Sequence, residues 1–327
     1  MRDIFQGYTL FSIDPSKLRS KNFFAEMLRE RAEMWPQRIS LVKRRDQVKC
    51  ILCKESESKL FLEYKGYPLY ECHNCGLVFP NISIENDQNI AMYDNALYEE
   101  TLKREILETY AYRKEKFGSE RLKYVQKMAP IDWTKATLLD IGCGPGYFIQ
   151  CAKDSGVNAL GIELTDFLVK LCQNNGLNVE KKRLEELTFH SDVMTMFDVL
   201  EHLADPIAFF QEAYQKLNSK GYIVAYTPHV HSLAFLLQEG LQNTLLPFEH
   251  LGFFDAKSAE FLAKKSGFEV VNIDYYGWDV MDYLSMKSYE DKIDYNENLK
   301  EMIPYLQASL DKNHLSNHIR ITFRKLT

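Results

Sequence analysis

Leu138-Leu139-Asp140-Ile141-Gly142-Cys143-Gly144-Pro145-Gly146-Tyr147-Phe148 is the stretch on which the reading of this chain turns. Apolar residues run into an acid, and three glycines follow at alternate positions. The pattern predicts a buried strand that ends in a tight turn and opens a helix. Glycine admits positive φ and lets a ligand approach the backbone closely. The helix behind the turn aims its N–H groups and positive dipole end at whatever binds.

The turn does not fit a phosphate. A dinucleotide fingerprint needs a glycine where Tyr147 stands, and a phosphate loop needs Lys and Ser/Thr after its last glycine, where Tyr147 and Phe148 follow Gly146. Asp140 would repel a pyrophosphate and suits a cationic or ammonium group. Glu163, 21 residues beyond Gly142, ends the next predicted strand, where a carboxylate can accept hydrogen bonds from both ribose hydroxyls. Asp140, the alternating glycines and Glu163 together resemble the class I S-adenosylmethionine (SAM) methyltransferases. The competing reading is a glycine-rich turn in some other α/β protein.

The 327 residues suffice for one large or two modest domains, and 46% hydrophobic with 26% charged residues is ordinary globular composition. The net charge of −6 lacks the basic footprint of a nucleic-acid binder, although a local basic face is compatible with it. Met1-Arg2-Asp3-Ile4-Phe5-Gln6 has no secretory apolar core, and no apolar run reaches the length of a membrane span. With seven cysteines, this predicts a reducing, cytoplasmic setting.

Residues 1–45 read as an N-terminal helical extension, with helical spacing over 21–34 and a stop at Pro36. Cys50-Ile51-Leu52-Cys53 and Cys72-His73-Asn74-Cys75 are separated by 18 residues. Two such knuckles can supply four thiolates to one tetrahedral Zn²⁺, so Cys50, Cys53, Cys72 and Cys75 are the candidate metal ligands of a module over 46–82. So short a segment buries little core, and metal would supply its folding energy. A closed four-cysteine site is structural, with a redox dithiol or paired disulfides as the other readings. His73 reads as a bystander. Residues 83–130 read as a helical lead-in and active-site lid, with a helix over 99–127, from which Tyr98 or Arg113 could reach a ligand carboxylate.

From 131 to 327 strands and helices alternate, with strands at 137–141, 159–163, 178–181, 193–197, 222–226, 269–273 and 318–324. This is an α/β, Rossmann-like, seven-stranded parallel sheet carrying a small N-terminal zinc-ribbon module. Residues 277–317 are an insertion before the last strand, expected to be partly helical and to lie over the site. Ligands sit beyond the carboxyl ends of such strands. That rule collects Gly142–Gly146, Glu163–Leu164, Phe197–His202 and Thr227–His231 around one cleft, and Asp140, Gly142, Cys143, Gly144, Gly146, Glu163, Leu164, Leu184, Met196 and Phe197 are the candidate SAM contacts.

Thr195–Pro206, Thr227–Leu233 and Pro247–Phe254 occur in the order found in a bacterial methyltransferase group associated with sugar and surface-polysaccharide biosynthesis, which this chain resembles over roughly residues 50–275. The resemblance implies the SAM fold and cofactor, and a carbohydrate-related acceptor more loosely. Arg183 stands where many relatives hold an acid toward adenine. Pro247 stands where the sugar C-methyltransferases of the group hold a tyrosine, and their longer C-terminal domain has no counterpart. These departures favour transfer to O or N. A hydroxyl acceptor needs a base. His250 is the first candidate and His202 the second, although Asp198-x-x-Glu201 reads as a capping box that would make His202 a brace. The leading expectation is a small-molecule methyltransferase. The alternatives are an RNA methyltransferase gripping RNA with its zinc module, a zinc-dependent binding protein on a relict SAM fold, and an enzyme whose zinc module docks a carrier or partner protein.

Overall fold

The structure is a computed structural model that describes residues 10–83, 99–100, 102–246 and 248–327. The expected stop at Pro36 does not occur, because helix Phe23–Leu41 carries the proline inside it. Its neighbours are anchored on both sides. Trp35 packs on Phe248 at 4.8 Å between ring centroids and meets Tyr64 and Tyr67 edge-on. Arg38 ion-pairs with Glu249. These contacts offset a break that costs about 3 kcal/mol in an unsupported helix.

Strand β1 (Lys43–Arg44) follows, and then an antiparallel sheet of β2 (Ser58–Tyr64), β3 (Tyr67–Cys72) and β4 (Val78–Pro80). Strand β5 (Ile82–Ser83) returns to pair with β1. This cysteine-bearing segment is not isolated. Leu52, Leu77 and Phe79 are fully buried in one apolar cluster with Leu139, Phe210 and Phe254. A backbone bridge joins Val78 to Phe253. Tyr98 and Pro247 lie outside the described residues. The helix expected over 99–127 is broken up: π-helical turns Lys103–Leu107 and Lys114–Gly118 flank Tyr110–Arg113, and Ser119–Met128 completes it.

The main sheet is built from β6 (Thr137–Ile141), β7 (Asn158–Glu163), β8 (Val179–Lys181), β9 (Ser191–Phe197), β10 (Leu217–Pro228), β11 (Phe268–Tyr275) and β12 (His318–Lys325). Their order is β11-β12-β10-β9-β6-β7-β8. Strands β6 to β10 pair in parallel, whereas β12 lies antiparallel between β10 and β11. The sheet is therefore mostly parallel, and its last strand departs from the expectation. Leu138, Leu139, Val193, Ile223, Val224, Ile321 and Phe323 are buried, the continuous apolar reading of strands covered on both faces. Helices Tyr147–Asp154, Asp166–Asn174, Pro206–Lys216 and Ala256–Ser266 follow their strands. Asp205 caps the third, accepting a hydrogen bond from the Ala208 N–H at 3.1 Å.

Residues 277–317 are helical, as Asp279–Asp291, Tyr295–Asn298 and Ile303–Lys312. They pack on Phe23–Leu41 and Leu233–Gln238 and contribute nothing to the wall of the cleft at the strand ends, contrary to the expected cover. The buried acids of helix Asp279–Asp291 hold them there. Asp279 accepts from the Ala234 and Asn317 N–H groups at 3.1 and 2.8 Å, and Asp282 pairs with Arg19.

Gly146, at φ +82°, opens helix Tyr147–Asp154, and a Cβ there would lie 2.6 Å from Leu177 Cδ1 and 2.8 Å from Cys172 Sγ. Gly146→Ala should destabilise the protein by about 1–3 kcal/mol, read as a lower denaturant midpoint; an unchanged midpoint would refute the packing argument. Asp140, at 2% exposure, accepts a 2.6 Å hydrogen bond from the Thr195 hydroxyl, and burial pushes its carboxyl up to about 7. The unfolded chain ionises this group near pH ~3.9 while the folded chain keeps its proton to about pH 7, so stability falls as pH rises through that window. Asp140→Asn should remove this part of the fall, so that the stability of the wild type relative to the variant declines between about pH 4 and 7. Parallel denaturation curves across that range would contradict the assignment.

Candidate active site

The carboxyl ends of β6, β7 and β9 border a cleft of about 470 Å³. Strand β6 has β7 on one side and β9 on the other, so the cleft opens where the strand order reverses. Gly142, Gly144 and Gly146 all take positive φ. A Cβ on Gly142 would strike Val199 Cγ2 at 2.7 Å, while one on Gly144 would meet nothing within 4 Å and would project into open space. Glu163 ties the turn to the end of β7. Its Oε2 accepts the Gly144 N–H at 3.0 Å, and its Oε1 accepts the N–H groups of Leu164 and Thr165 at 2.7 and 3.0 Å. A carboxylate accepts about four hydrogen bonds, which leaves capacity toward a ligand.

Asp140, Gly142, Cys143, Gly144, Glu163, Leu164, Leu184, Phe197 and His202 line this cleft together. Gly146 stands behind the turn as the helix cap. Met196 does not reach the cleft. Strand alternation sends it into the core with Leu139 and Ile141 while Phe197 faces the opening. Arg113 is turned away as well, its Nε donating to Thr109 Oγ1 at 2.8 Å, and it borders a neighbouring hollow with Arg31 and Arg38. Tyr98 is outside the described residues. Arg183, the departure noted above, lines the cleft, and its backbone N–H donates to Glu186 Oε2 at 2.6 Å.

Arg121 is a cleft residue that the sequence did not single out. Its guanidinium lies 4.5 Å from the Phe197 ring centroid and 5.2 Å from that of Tyr226, donates to Tyr147 Oη at 2.8 Å and faces Asp198 at 3.6 Å. Only its place on the helix preceding β6 hints at it, and that place looks like any other charged helix position.

The capping box expected at Asp198 and Glu201 is absent. The turn Leu200–His202 has no side-chain cap, and Asp198 adopts φ +60°. Glu201 is instead fully buried, with Oε2 accepting from Thr227 Oγ1 at 2.9 Å. Its carbonyl accepts the N–H groups of Leu251 and Gly252 at 2.7 and 3.1 Å. This clamp brings His250 against His202, with ring centroids 4.8 Å apart. His202 Nδ1 lies 2.9 Å from the Glu249 carbonyl and His250 Nδ1 2.6 Å from the Thr244 carbonyl. A carbonyl can only accept, so Nδ1 carries the proton in the neutral His250 ring, whereas the His202 ring is hydrogen-bonded to the backbone carbonyls of both Glu249 and Asp198. Both Nε2 atoms face Glu201 Oε1, at 3.8 and 4.0 Å. Burial lowers His202 to about 4 and holds His250 well below its ordinary value, so both imidazoles are neutral at neutral pH. Burial also raises the Glu201 carboxyl well above its ordinary range.

On the other side of this segment, Cys50 and Cys75 place their sulfurs 3.5 Å apart, and Cys53 and Cys72 theirs 3.4 Å apart. All four lie within 4.8 Å of one another, and none forms a disulfide. Four thiolates around one Zn²⁺ at about 2.3 Å stand about 3.8 Å from each other, so the donor set and its size fit that ion. Among the described residues no helix is long and apolar enough to cross a membrane.

A family model described as a methyltransferase domain matches residues 110–273, which is 164 of the 327 residues. The ubiquinone biosynthesis O-methyltransferase of Nitrosospira multiformis is 26% identical over 170 residues, 47% of this chain and 70% of that protein. That of Leptothrix cholodnii is 28% identical over 129 residues, 36% of this chain and 54% of its own length. Among solved structures, a SAM-dependent methyltransferase from Archaeoglobus fulgidus superposes with a TM-score of 0.47 at 22% identity, over 70% of this chain and 99% of that one. Another from Mesorhizobium loti gives 0.43 at 16%, over 62% and 96%. The match across half of the sequence decides the family, and with it the chain belongs to the SAM-dependent methyltransferases of the class I fold.

Proposed function

We propose that this enzyme methylates an oxygen of a small-molecule acceptor, with the Gly142–Gly146 turn and Glu163 holding SAM. Bound SAM supplies a methyl group on a positively charged sulfur, open to in-line displacement. The chain's part is to hold, orient and deprotonate. Glu163 and the open face of Gly144 receive the nucleoside, Leu184 and Phe197 provide apolar walls, and Asp140 underlies the turn. His202, His250 and Glu201 form the place where the acceptor's proton is drawn off.

That cluster is the observation that carries the reading. An amine acceptor needs no such group once neutral, whereas a hydroxyl does. Two neutral imidazoles beside a buried carboxylate, one of them lining the cleft, suit an O–H acceptor. The curated relatives named above carry O-methyl transfer in their names as well. A sugar or sugar-linked acceptor is the finer form of the proposal, and it rests on the resemblance around Glu249-His250-Leu251. The four cysteines would hold a structural Zn²⁺ that fixes β2–β4 against Phe253, which gives the metal a role in shaping the site without contact with the reactants.

Calorimetry tests the cofactor half. The wild type should bind SAM and S-adenosylhomocysteine, and Glu163→Ala should lose roughly 10–100-fold in affinity, the value of one or two charge-assisted hydrogen bonds. No SAM binding by the wild type would sink the reading. With hydroxyl-bearing metabolites screened as acceptors, His202→Ala and His250→Ala should lower kcat while SAM affinity holds; unimpaired turnover would remove both from the chemistry. Metal analysis should find one zinc per chain at the cysteines. Its removal by a strong chelator should speed amide exchange in 46–82 and also in 250–255, through the Val78–Phe253 bridge. Folded protein with far less than one zinc would contradict this.

A further inference from the structure

Beside the SAM cleft lies a second hollow, of about 500 Å³, between helix Phe23–Leu41, the lead-in around Thr109 and the 243–249 segment. That is room for a small molecule. Cleft and hollow are one residue apart. Glu249 lines the hollow, and its carbonyl meets the His202 ring, which lines the cleft. Leu18, Phe23, Met27 and Leu246 give the hollow apolar walls. Its cationic wall is the anomaly. Arg31 is only 8% exposed, and the groups that hold its guanidinium are neutral: the carbonyls of Gln242 and Asn243, at 2.7 and 2.8 Å, and the Tyr64 hydroxyl. Burial pulls this guanidinium below its ordinary value. Arg38 pairs with Glu249, and its Nη2 also donates to the Met34 sulfur at 2.9 Å, a weak acceptor for a full positive charge. Arg31 faces Glu249 as well. Two guanidiniums thus share the charge of one carboxylate, and a buried charge short of a counter-ion is costly.

We propose that this hollow is the anion-holding part of the acceptor site, where Arg31 and Arg38 take a phosphate ester or a carboxylate of the acceptor while its hydroxyl is turned toward His202. A guanidinium offers a planar fork of N–H donors that matches two oxygens of either group. The anion supplies the negative charge that Glu249 divides between two partners. The apolar walls take the body of the molecule. Glu26 and Glu30 line the hollow from earlier turns of the same helix, and Glu108 lines it from the lead-in. Carboxylates there accept hydrogen bonds from further hydroxyls of a ligand. The acceptor expected is therefore a hydroxylated small molecule that carries an acidic group. That the bound molecule is the methyl acceptor rests on the O-methyl reading; whether the hollow takes an anion does not.

The test uses the full chain, with inorganic phosphate and acetate as the probes. Calorimetry, run with and without S-adenosylhomocysteine, should find one phosphate or one acetate per chain in both conditions. The tighter probe identifies the acidic group. Met34 is half-buried, three residues after Arg31 and four before Arg38, so its substitutions set the charge beside both. Met34→Glu supplies a counter-ion from the chain itself and should weaken binding by about tenfold or more. Met34→Gln, of similar shape and uncharged, should stay within about threefold of the wild type, and Met34→Lys should bind more tightly. Met, Glu, Gln and Lys are near-equal helix formers, so the series keeps the helix, and SAM affinity on the same samples reports the fold. No binding of either probe by the wild type, binding that S-adenosylhomocysteine abolishes, or one affinity across the Glu, Gln and Lys series would overturn the proposal. Loss of SAM binding or of hydroxyl turnover with phosphate still bound would strike the methyl-transfer reading and leave the anion site standing.

Discussion

One carbonyl oxygen, that of Glu201, carries the N–H groups of both Leu251 and Gly252, and much of the architecture converges on that clamp. It draws the 249–254 segment from the far end of a long connection onto the turn after β9. Helix Phe23–Leu41 reaches the same segment from outside. Arg38 pairs with Glu249, and buried Arg31 donates to the carbonyls of Gln242 and Asn243 at 2.7 and 2.8 Å. Strand β4 reaches it from below through Phe253. Three parts of the chain that are remote in sequence thus determine where one histidine stands.

The two sides of the cleft follow different physics. The cofactor side is backbone and carboxylate: a left-handed glycine turn stapled by Glu163, with a protonatable acid buried beneath it. The other side is aromatic and cationic. Arg121 lies over Phe197 and Tyr226, where a desolvated guanidinium gains on the order of 1–2 kcal/mol from each ring face. A pair of imidazoles beyond them stays neutral because burial opposes its charge.

The sheet was legible because its signals are local. Alternating glycines, apolar runs and Asp205-Pro206 each specify their own few residues, and the strand ends then gather Asp140, Gly144 and Glu163 by topology. The cysteines were legible for the same reason. What escaped was set by contacts between segments apart in sequence, or by which face of a strand a residue takes. Pro36 reads as a helix stop until Trp35 and Arg38 find Phe248 and Glu249. Asp198 and Glu201 have the spacing of a capping box, yet Thr227 and the 251–252 backbone claim Glu201 for the interior. Met196 and Phe197 differ only in which face of β9 they take, and Arg121 carries no local mark at all.

The bridge between Val78 and Phe253 has a bearing on how the chain is born. On a ribosome adding about 5–20 residues per second, roughly 10–35 s separate the two partners. For that interval Leu52, Leu77 and Phe79 lack the part of their cluster that Leu251 and Phe254 supply. The nascent N-terminal third is then a sticky, half-finished object until the last third emerges to complete its cover.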